Sequence, residues 1–590
     1  MERNELQAPE WQMEDAYGHI GSEAYEKSVR TLTDKICDLK GLMMTSDDVL
    51  GVALECYDVG TTHLASLKAF VKCIGAKDST DVQVSVENAR LAILQAQLTE
   101  AFKPFLENLL RLDPEDSHWE VPPFNAWQSY LKHERLSWER SLSEEKLSLW
   151  RQLQTQALMP LGAMHKSLMK DIGFVVKDSE GNEQRITPSK LTVVLKGHPD
   201  SNVRHQTARG LEAFMQKRGE CFAEVLNALN GLRRPFIDAA QSTPIRISLH
   251  QNAMSAESLA AMLKAIEAVL PQVQHSIVLR AHKLGYETMP YEDLMAPLPD
   301  KSSAAKLTYP DAVKCIKEAL TKVNPELADF VQMMVENRWV DAVVDEKKIG
   351  GAFYTRFDLF KIPRVFGTFM GNVTTLIQQS HELGHAFHYW VMRDLPTVQT
   401  NFPMTLTETA STFNEAVVRH YLLQKATSQE ALGMVWQDVR SAANFLCNTT
   451  ARFTFENSFL EKSRHQYVNA ETCCELMQEA WSHWYGKSAK ADRFLWAHKL
   501  HFYKKDQLLY NYPYTVGFLL SQALMREWFE RGEAFYPFYK ALLRDTGVLS
   551  VDDVIRKHFG ADPQTEEFWN RALERVLQSI ELFETLIQEK

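Results

Sequence analysis

Residues 376–390 read LIQQSHELGHAFHYW, and within them His381-Glu382-Leu383-Gly384-His385 forms an H-E-x-x-H. The spacing has a mechanism. At about 100° per residue, positions i and i+4 of a helix share one face, roughly 6 Å apart. Two imidazoles placed there can close on one Zn2+ at about 2.0–2.1 Å, and a carboxylate directly after the first histidine can reach a water on that ion. The helix can be checked on a wheel. With His381 at zero, His385 falls near ~40° and His388 near ~340°, whereas Leu376, Leu383, Phe387 and Trp390 gather at roughly 180–240°. One face is therefore apolar and the other carries imidazoles. Gly384 costs about 1 kcal/mol of helix propensity relative to alanine, a cost that close approach of another backbone would explain.

The flanking residues narrow the class. A metzincin extension requires Gly at 388 and His at 391, and the chain has His388 and Val391. His388 lies about 10 Å along the axis from His381, too far to share one ion, and reads as a core histidine or one supporting the site. The third ligand should be a carboxylate on another element. Residues 406–418, LTETASTFNEAVV, place Glu408, Ser411, Thr412 and Glu415 on one polar stripe of a helix and Leu406, Ala410, Phe413 and Val417 on the other face. The connection, residues 393–405 with Pro396 and Pro403, is short enough to make the two helices antiparallel neighbours. Glu408 is the expected third ligand, Glu415 the acceptor for a ligating histidine, and Arg419 its neutralising partner. For either glutamate alone, a solvated helix face is the plain alternative.

HELGHAFH followed by ETASTFNE resembles the M3 family of zinc oligopeptidases, the oligoendopeptidase F branch in particular. RWVD at 338–341 and KIGGAF at 348–353 look like the family's lead-in. FGTFMG at 366–371 falls where the family has an edge strand beside its cleft, and KLHFY at 499–503 with YNYPYTVG at 510–517 resembles its C-terminal tyrosine-rich motif. The resemblance runs from about residue 200 to 575, and before that it is only general. It implies a mainly α, multi-helix, two-lobed metallopeptidase with a small β-sheet beside the zinc helix and a deep central channel. One Zn2+ per chain would sit on His381, His385 and Glu408, with Glu382 as general base. Short unfolded peptides would be the substrates, because a narrow channel excludes folded proteins. The oxyanion of the tetrahedral intermediate needs a donor besides zinc. His501, Tyr510 and Tyr514 are the candidates carried over, and Tyr512 is set aside because its position resembles one that tolerates Phe. The distance from His501 to the tyrosines, longer than in the thimet-like branch, leaves their individual roles open.

Two other readings are compatible with these residues. One is a gluzincin exopeptidase, an aminopeptidase or carboxypeptidase that captures a free terminus. The other is a non-catalytic, zinc-stabilised helical binding protein. Structural zinc sites usually have four protein ligands, whereas three are found here and Glu382 would have no structural purpose. Co2+ or Mn2+ could also substitute in such a site.

Length and composition bound the remainder. A chain of 590 residues exceeds one ordinary core, so two lobes are expected: residues 1–200, helical with a small hairpin, and 201–590, the zinc metallopeptidase catalytic domain. Net charge of −11 argues against a nucleic-acid partner. No apolar run approaches ~18 residues, so no membrane span is expected. The first twenty residues, MERNELQAPEWQMEDAYGHI, lack an apolar core of the signal-peptide kind. Eight cysteines, at 37, 56, 73, 221, 315, 447, 473 and 474, form no C-x-x-C and read as reduced thiols of a cytoplasmic protein. Nothing here bears on oligomeric state.

Periodicity predicts helices over 22–112, 124–172, 202–240 and 254–285. Alternating charges over 124–172 read as a solvated helix face. FVVKDSEGNEQRITPSKLTVVLKG, 174–197, reads as a hairpin about residues 180–182, and PIRISLH, 244–250, as strand-like. Residues 286–300 read as loop, with helix resuming after Tyr309-Pro310. Residues 352–370 are the strand region of the larger lobe. Pro363 there suits an edge strand, which could take a peptide as an added strand or be covered by a loop.

Overall fold

Helix-forming runs dominate the computed structural model, which describes residues 6–43, 48–115, 117–298 and 307–588. The expected 22–112 region is three helices, Glu23–Gly41, Asp48–Lys77 and Val82–Arg111. Ser22 caps the first by accepting from Tyr25 N–H, and Asp81 caps the third by accepting from Gln83 N–H. Their buried faces meet through Tyr25, Leu32, Leu67, Phe70 and Leu98, and the same core continues into Phe357 and Phe366. The region 124–172 divides into Phe124–Arg135, Glu144–Leu153 and Met159–Met169, with a 3-10 turn, Trp138–Ser141, after the first and a π-helical segment, Gln154–Leu158, joining the last two. The expected loop 286–300 contains only a single 3-10 turn, Tyr291–Asp293. Its residues 299 and 300 lie outside the described residues, as do 304–306 ahead of the helix Tyr309–Thr321 and residues 1–5 of the N-terminal stretch. No helix among the described residues is long and apolar enough to cross a membrane.

Packing divides the chain into two units, each assembled from separate stretches. One comprises Met1–Leu136, Ser303–Leu422 and Leu524–Val554, and the other Ser137–Ser302, Leu423–Ala523 and Ile555–Lys590. Because the N-terminal helices share a core with the strands near 360, the chain does not change unit at residue 200, which lies inside the second unit.

In the second unit, β1 (Phe174–Lys177) and β2 (Glu183–Ile186) form the expected antiparallel hairpin, with Gly181 at φ +89° in its turn. The hairpin ends there. Residues Pro188–Gly197, read from sequence as its continuation, are a helix that buries Leu191 and Val194. Pro188 at the first helical position starts it. PIRISLH is likewise helical, Pro244–Gln251, rather than strand-like. Thr243 caps it by accepting from Arg246 N–H at 3.3 Å, and this cap with Pro244 overrides the β-branched isoleucines.

The first unit contains β3 (Val340–Asp341), β4 (Phe353–Phe357) and β5 (Ile362–Phe366), in the order β3-β5-β4. Pro363 therefore sits on the central strand, not on the edge strand expected. The register explains how. Val365 N–H donates to Trp339 O at 3.0 Å and Gly367 N–H to Asp341 O at 2.8 Å, so alternate residues of β5 turn their backbone groups toward β3. Pro363 falls in that set, opposite Arg356, and β3 is too short to reach it. Its missing N–H therefore breaks no ladder bond. The same register makes Tyr354 and Arg356 the residues whose backbone N–H and C=O face the free edge of β4.

Candidate metal centre

The H-E-x-x-H lies on the helix Val373–Met392, capped by Asn372, whose side chain accepts from Thr375 N–H at 2.9 Å. Leu376, Leu383 and Phe387 are buried on its apolar face. A Cβ added to Gly384 would stand 2.6 Å from Ala410 O and 2.6 Å from Ser411 Cα. The glycine thus admits the backbone of the glutamate-bearing segment directly onto the histidine helix. That segment is not the continuous helix expected over 406–418. Met404–Thr407 and Thr409–Leu423 are separate, and Glu408 is the turn residue between them. The break costs little, because Glu408 O still accepts from Thr412 N–H at 3.0 Å, opening the second helix.

The side chains of His381, His385 and Glu408 each offer a ligand atom, all within 4.8 Å of one another. His381 Nε2 is 3.3 Å and His385 Nε2 3.5 Å from Glu408 Oε2. The edges of a tetrahedron with zinc–ligand legs of about 2.0–2.1 Å are about 3.3 Å, so the donor set fits a zinc-type ion. Each of these residues also has a hydrogen-bond partner of its own. His381 Nδ1–H donates to Glu415 Oε1 at 2.6 Å, and Arg419 donates to the other oxygen of Glu415. His385 is hydrogen-bonded to the Thr407 backbone, and Ser411 Oγ–H donates to Glu408 Oε2 at 2.9 Å. Each donor is therefore oriented by a partner behind it.

Electrostatics follow from burial among carboxylates. Burial pushes the Glu382 carboxyl up to about 7. Glu408 and Glu415 add to this, while His381 and Lys72 oppose it. Burial would lower His381, but its bond to Glu415 and the charges of Glu415, Glu408 and Glu382 raise it to about 9. Burial and the charge of His381 hold His385 well below its ordinary value. His388, one turn on, is fully buried. Its Nε2–H donates to Thr546 Oγ1 at 2.8 Å, and its ring stacks on Phe402 at 4.2 Å. It is a core histidine.

His501, Tyr510 and Tyr514 come together in the second unit. The His501 ring lies parallel to Tyr514, centroids 5.7 Å apart, and edge-on to Tyr510 at 5.0 Å. Tyr514 OH donates to Tyr510 OH at 3.2 Å. Behind them, buried Arg452 donates to Asn511 Oδ1 at 2.8 Å and lies 3.1 Å from His501 Nδ1. Burial, Lys499 and Arg452 lower His501 to about 3, so the imidazole is neutral. Tyr512 is core, its hydroxyl donating to Ser248 O at 3.2 Å.

Residues 315–574 match the sequence model of peptidase family M3. Oligopeptidase PepF of Bacillus subtilis is 23% identical, over 100% of this chain and 89% of its own length. Over residues 315–574 the chain is similar to peptidase family M3. Group B oligopeptidase PepB of Streptococcus agalactiae is 22% identical over 88% of both chains. The solved structure of oligoendopeptidase-F from Enterococcus faecium shares the fold, with a TM-score of 0.70 at 18% identity, over 96% of this chain and 99% of that one. These similarities support the oligoendopeptidase F branch of that family.

Several residues around the metal centre carry no local sequence signal. The Tyr354 ring lies nearly parallel to His385, centroids 5.9 Å apart. Arg356, two residues along β4, lies over Tyr389, one turn along the histidine helix from His385. The two-residue step of a strand and the one-turn step of a helix are both roughly 6–7 Å, which is why these pairs match. Arg356 also donates to Thr400 O and Asn401 Oδ1, both at 2.6 Å, and so ties β4 to the segment that leads to Glu408. Only a period-two reading of residues 353–357 laid against the helix would have pointed to them.

Proposed function

We propose that this chain is a zinc-dependent endopeptidase of the M3 type that hydrolyses internal bonds of short unfolded oligopeptides. The observation that carries this reading is the convergence of His381, His385 and Glu408 donors with the Glu382 carboxyl one residue from the first of them. One Zn2+ bound by those three residues would polarise the scissile carbonyl and acidify a water. Glu382 takes the proton of the attacking water and hands it to the leaving amine, a task suited to a carboxyl raised by burial. Glu415, Ser411 and the Thr407 carbonyl hold the three donors in orientation. A peptide laid along the free edge of β4 would bond the outward backbone groups of Tyr354 and Arg356, a mode that asks little of side chains. His501, Tyr510 and Tyr514 are proposed as donors to the developing oxyanion. The names of the relatives, oligopeptidases PepF and PepB, support short peptides as substrates. The eight cysteines, all free, support a cytoplasmic location.

The test is digestion of a mixed peptide pool by the purified chain, read by mass spectrometry, beside Glu382→Gln and a chelator-treated sample. Internal cuts lost in both controls are the expected result. Stepwise loss from one terminus would establish an exopeptidase. Absence of cleavage by a folded, zinc-loaded chain would overturn the enzymatic mechanism.

A further inference from the structure

The helix Asp48–Lys77 packs on β4 in the first unit. From it, the Lys72 ammonium reaches over the ring of Phe353, 3.8 Å from the centroid. Phe353 opens β4 and stacks on Phe366 of β5 at 5.0 Å. Lys72 is exposed, and among the described residues no carboxylate lies within ion-pair distance of it. Lys68, one turn earlier, is likewise without a carboxylate and donates to Gln95 Oε1. The chain has 76 acidic side chains against 65 basic ones, so two lysines without acidic partners on one helix face do not reflect a surplus of base. The charge of Lys72 is nevertheless felt at Glu382.

Strand geometry sets what such a cation can meet. Tyr354 and Arg356 turn their side chains onto the histidine helix, so Phe353, Thr355 and Phe357 face the opposite side, toward Asp48–Lys77. A peptide residue level with Tyr354 would share its face, and the residues before and after it would turn toward Phe353 and Lys72. We propose that Lys72 is a specificity-determining residue that recognises an acidic side chain of the substrate, one position away from the residue level with Tyr354. This inference rests on the reading of β4 as the edge that seats the peptide.

The experiment uses peptides identical except for Glu, Gln or Lys at each of six positions around one cut. Turnover by wild type, Lys72→Ala, Lys72→Arg and Lys72→Glu is compared as kcat/KM. In wild type, Glu should exceed Gln by about fivefold at one position and not at its immediate neighbours. The preference should persist in Lys72→Arg, vanish in Lys72→Ala and turn toward Lys in Lys72→Glu. A preference that survives Lys72→Ala, a uniform fall over all peptides, or no acidic preference anywhere would overturn the assignment. If folded, metal-loaded wild type cuts none of the peptides, the endopeptidase reading fails and this inference with it. Cutting without charge preference would sink this inference alone.

Discussion

Two half-buried histidines of this protein sit in opposite electrical surroundings. His381 in the first unit is bonded to Glu415 and ringed by Glu408 and Glu382, which lift it to about 9. His501 in the second unit is backed by Arg452 and Lys499, which with burial hold it near 3. The same imidazole is therefore matched to a cation in one place and kept neutral in the other. Side chains both adjacent in the chain and a whole element away make the difference. In a low-dielectric interior, one fixed charge within hydrogen-bond reach outweighs the intrinsic preference of the ring.

The comparison can be broken hardest at Glu382, the carboxyl that belongs to the first surroundings alone. Glu382→Gln should lower kcat by about 10²–10⁴-fold while bound metal, measured by elemental analysis, stays at the wild-type level. Loss of metal in that variant would move Glu382 from proton transfer to ligation. Next is the partner behind His381. Glu415→Gln keeps the shape but weakens the hydrogen bond and removes the charge, so zinc affinity by chelator competition should fall about 10–100-fold. An unchanged affinity would mean that the Glu415 bond does not orient the ligand.

Gly384→Ala tests whether the carboxylate surroundings depend on backbone contact. A Cβ at 2.6 Å from Ala410 O and Ser411 Cα must push the Glu408 segment away. Stability should drop by about 1–3 kcal/mol in urea unfolding, with weakened zinc binding. A variant as stable and as metal-tight as wild type would show that the segment can yield at no cost.

A third histidine sharpens the comparison through pH. His388 is neutral and held near 3 by burial. An unfolded histidine titrates near ~6.5, so between those values the unfolded chain binds a proton that the folded chain refuses. Stability should therefore fall as pH drops from about 6.5 toward 3, by up to about 1.4 kcal/mol per unit from this residue. His388→Asn should flatten that slope, and an unchanged slope would show that His388 is protonated in the folded state.

Legibility differed between the two surroundings for a physical reason. His381, His385 and Glu382 lie within five residues, where helix periodicity alone decides which side chains share a face. Glu408, Ser411 and Glu415 were readable as a stripe, although the break at Glu408 was not, since its carbonyl bond to Thr412 N–H mimics an unbroken helix. Pro363 pointed to the wrong strand. A proline requires only that its own N–H be unneeded, and a central strand with a two-residue neighbour meets that requirement. PIRISLH was misread because a cap and a proline start a helix more strongly than isoleucines favour a strand. Arg356, Tyr354, Lys72 and Arg452 carried no signal, because each acts across elements distant in the chain.

The amino-acid sequence by itself determined the helical character, the H-E-x-x-H face and the carboxylate stripe that follows. These depend on local periodicity and side-chain chemistry. Tertiary structure alone decided that β4 is the free edge and that Tyr354 and Arg356 lie along the histidine helix. It also decided which charges surround each of the two histidines, and that the N-terminal helices join the unit of the metal centre. Those outcomes depend on which remote surfaces bury one another, and no spacing along the chain encodes that.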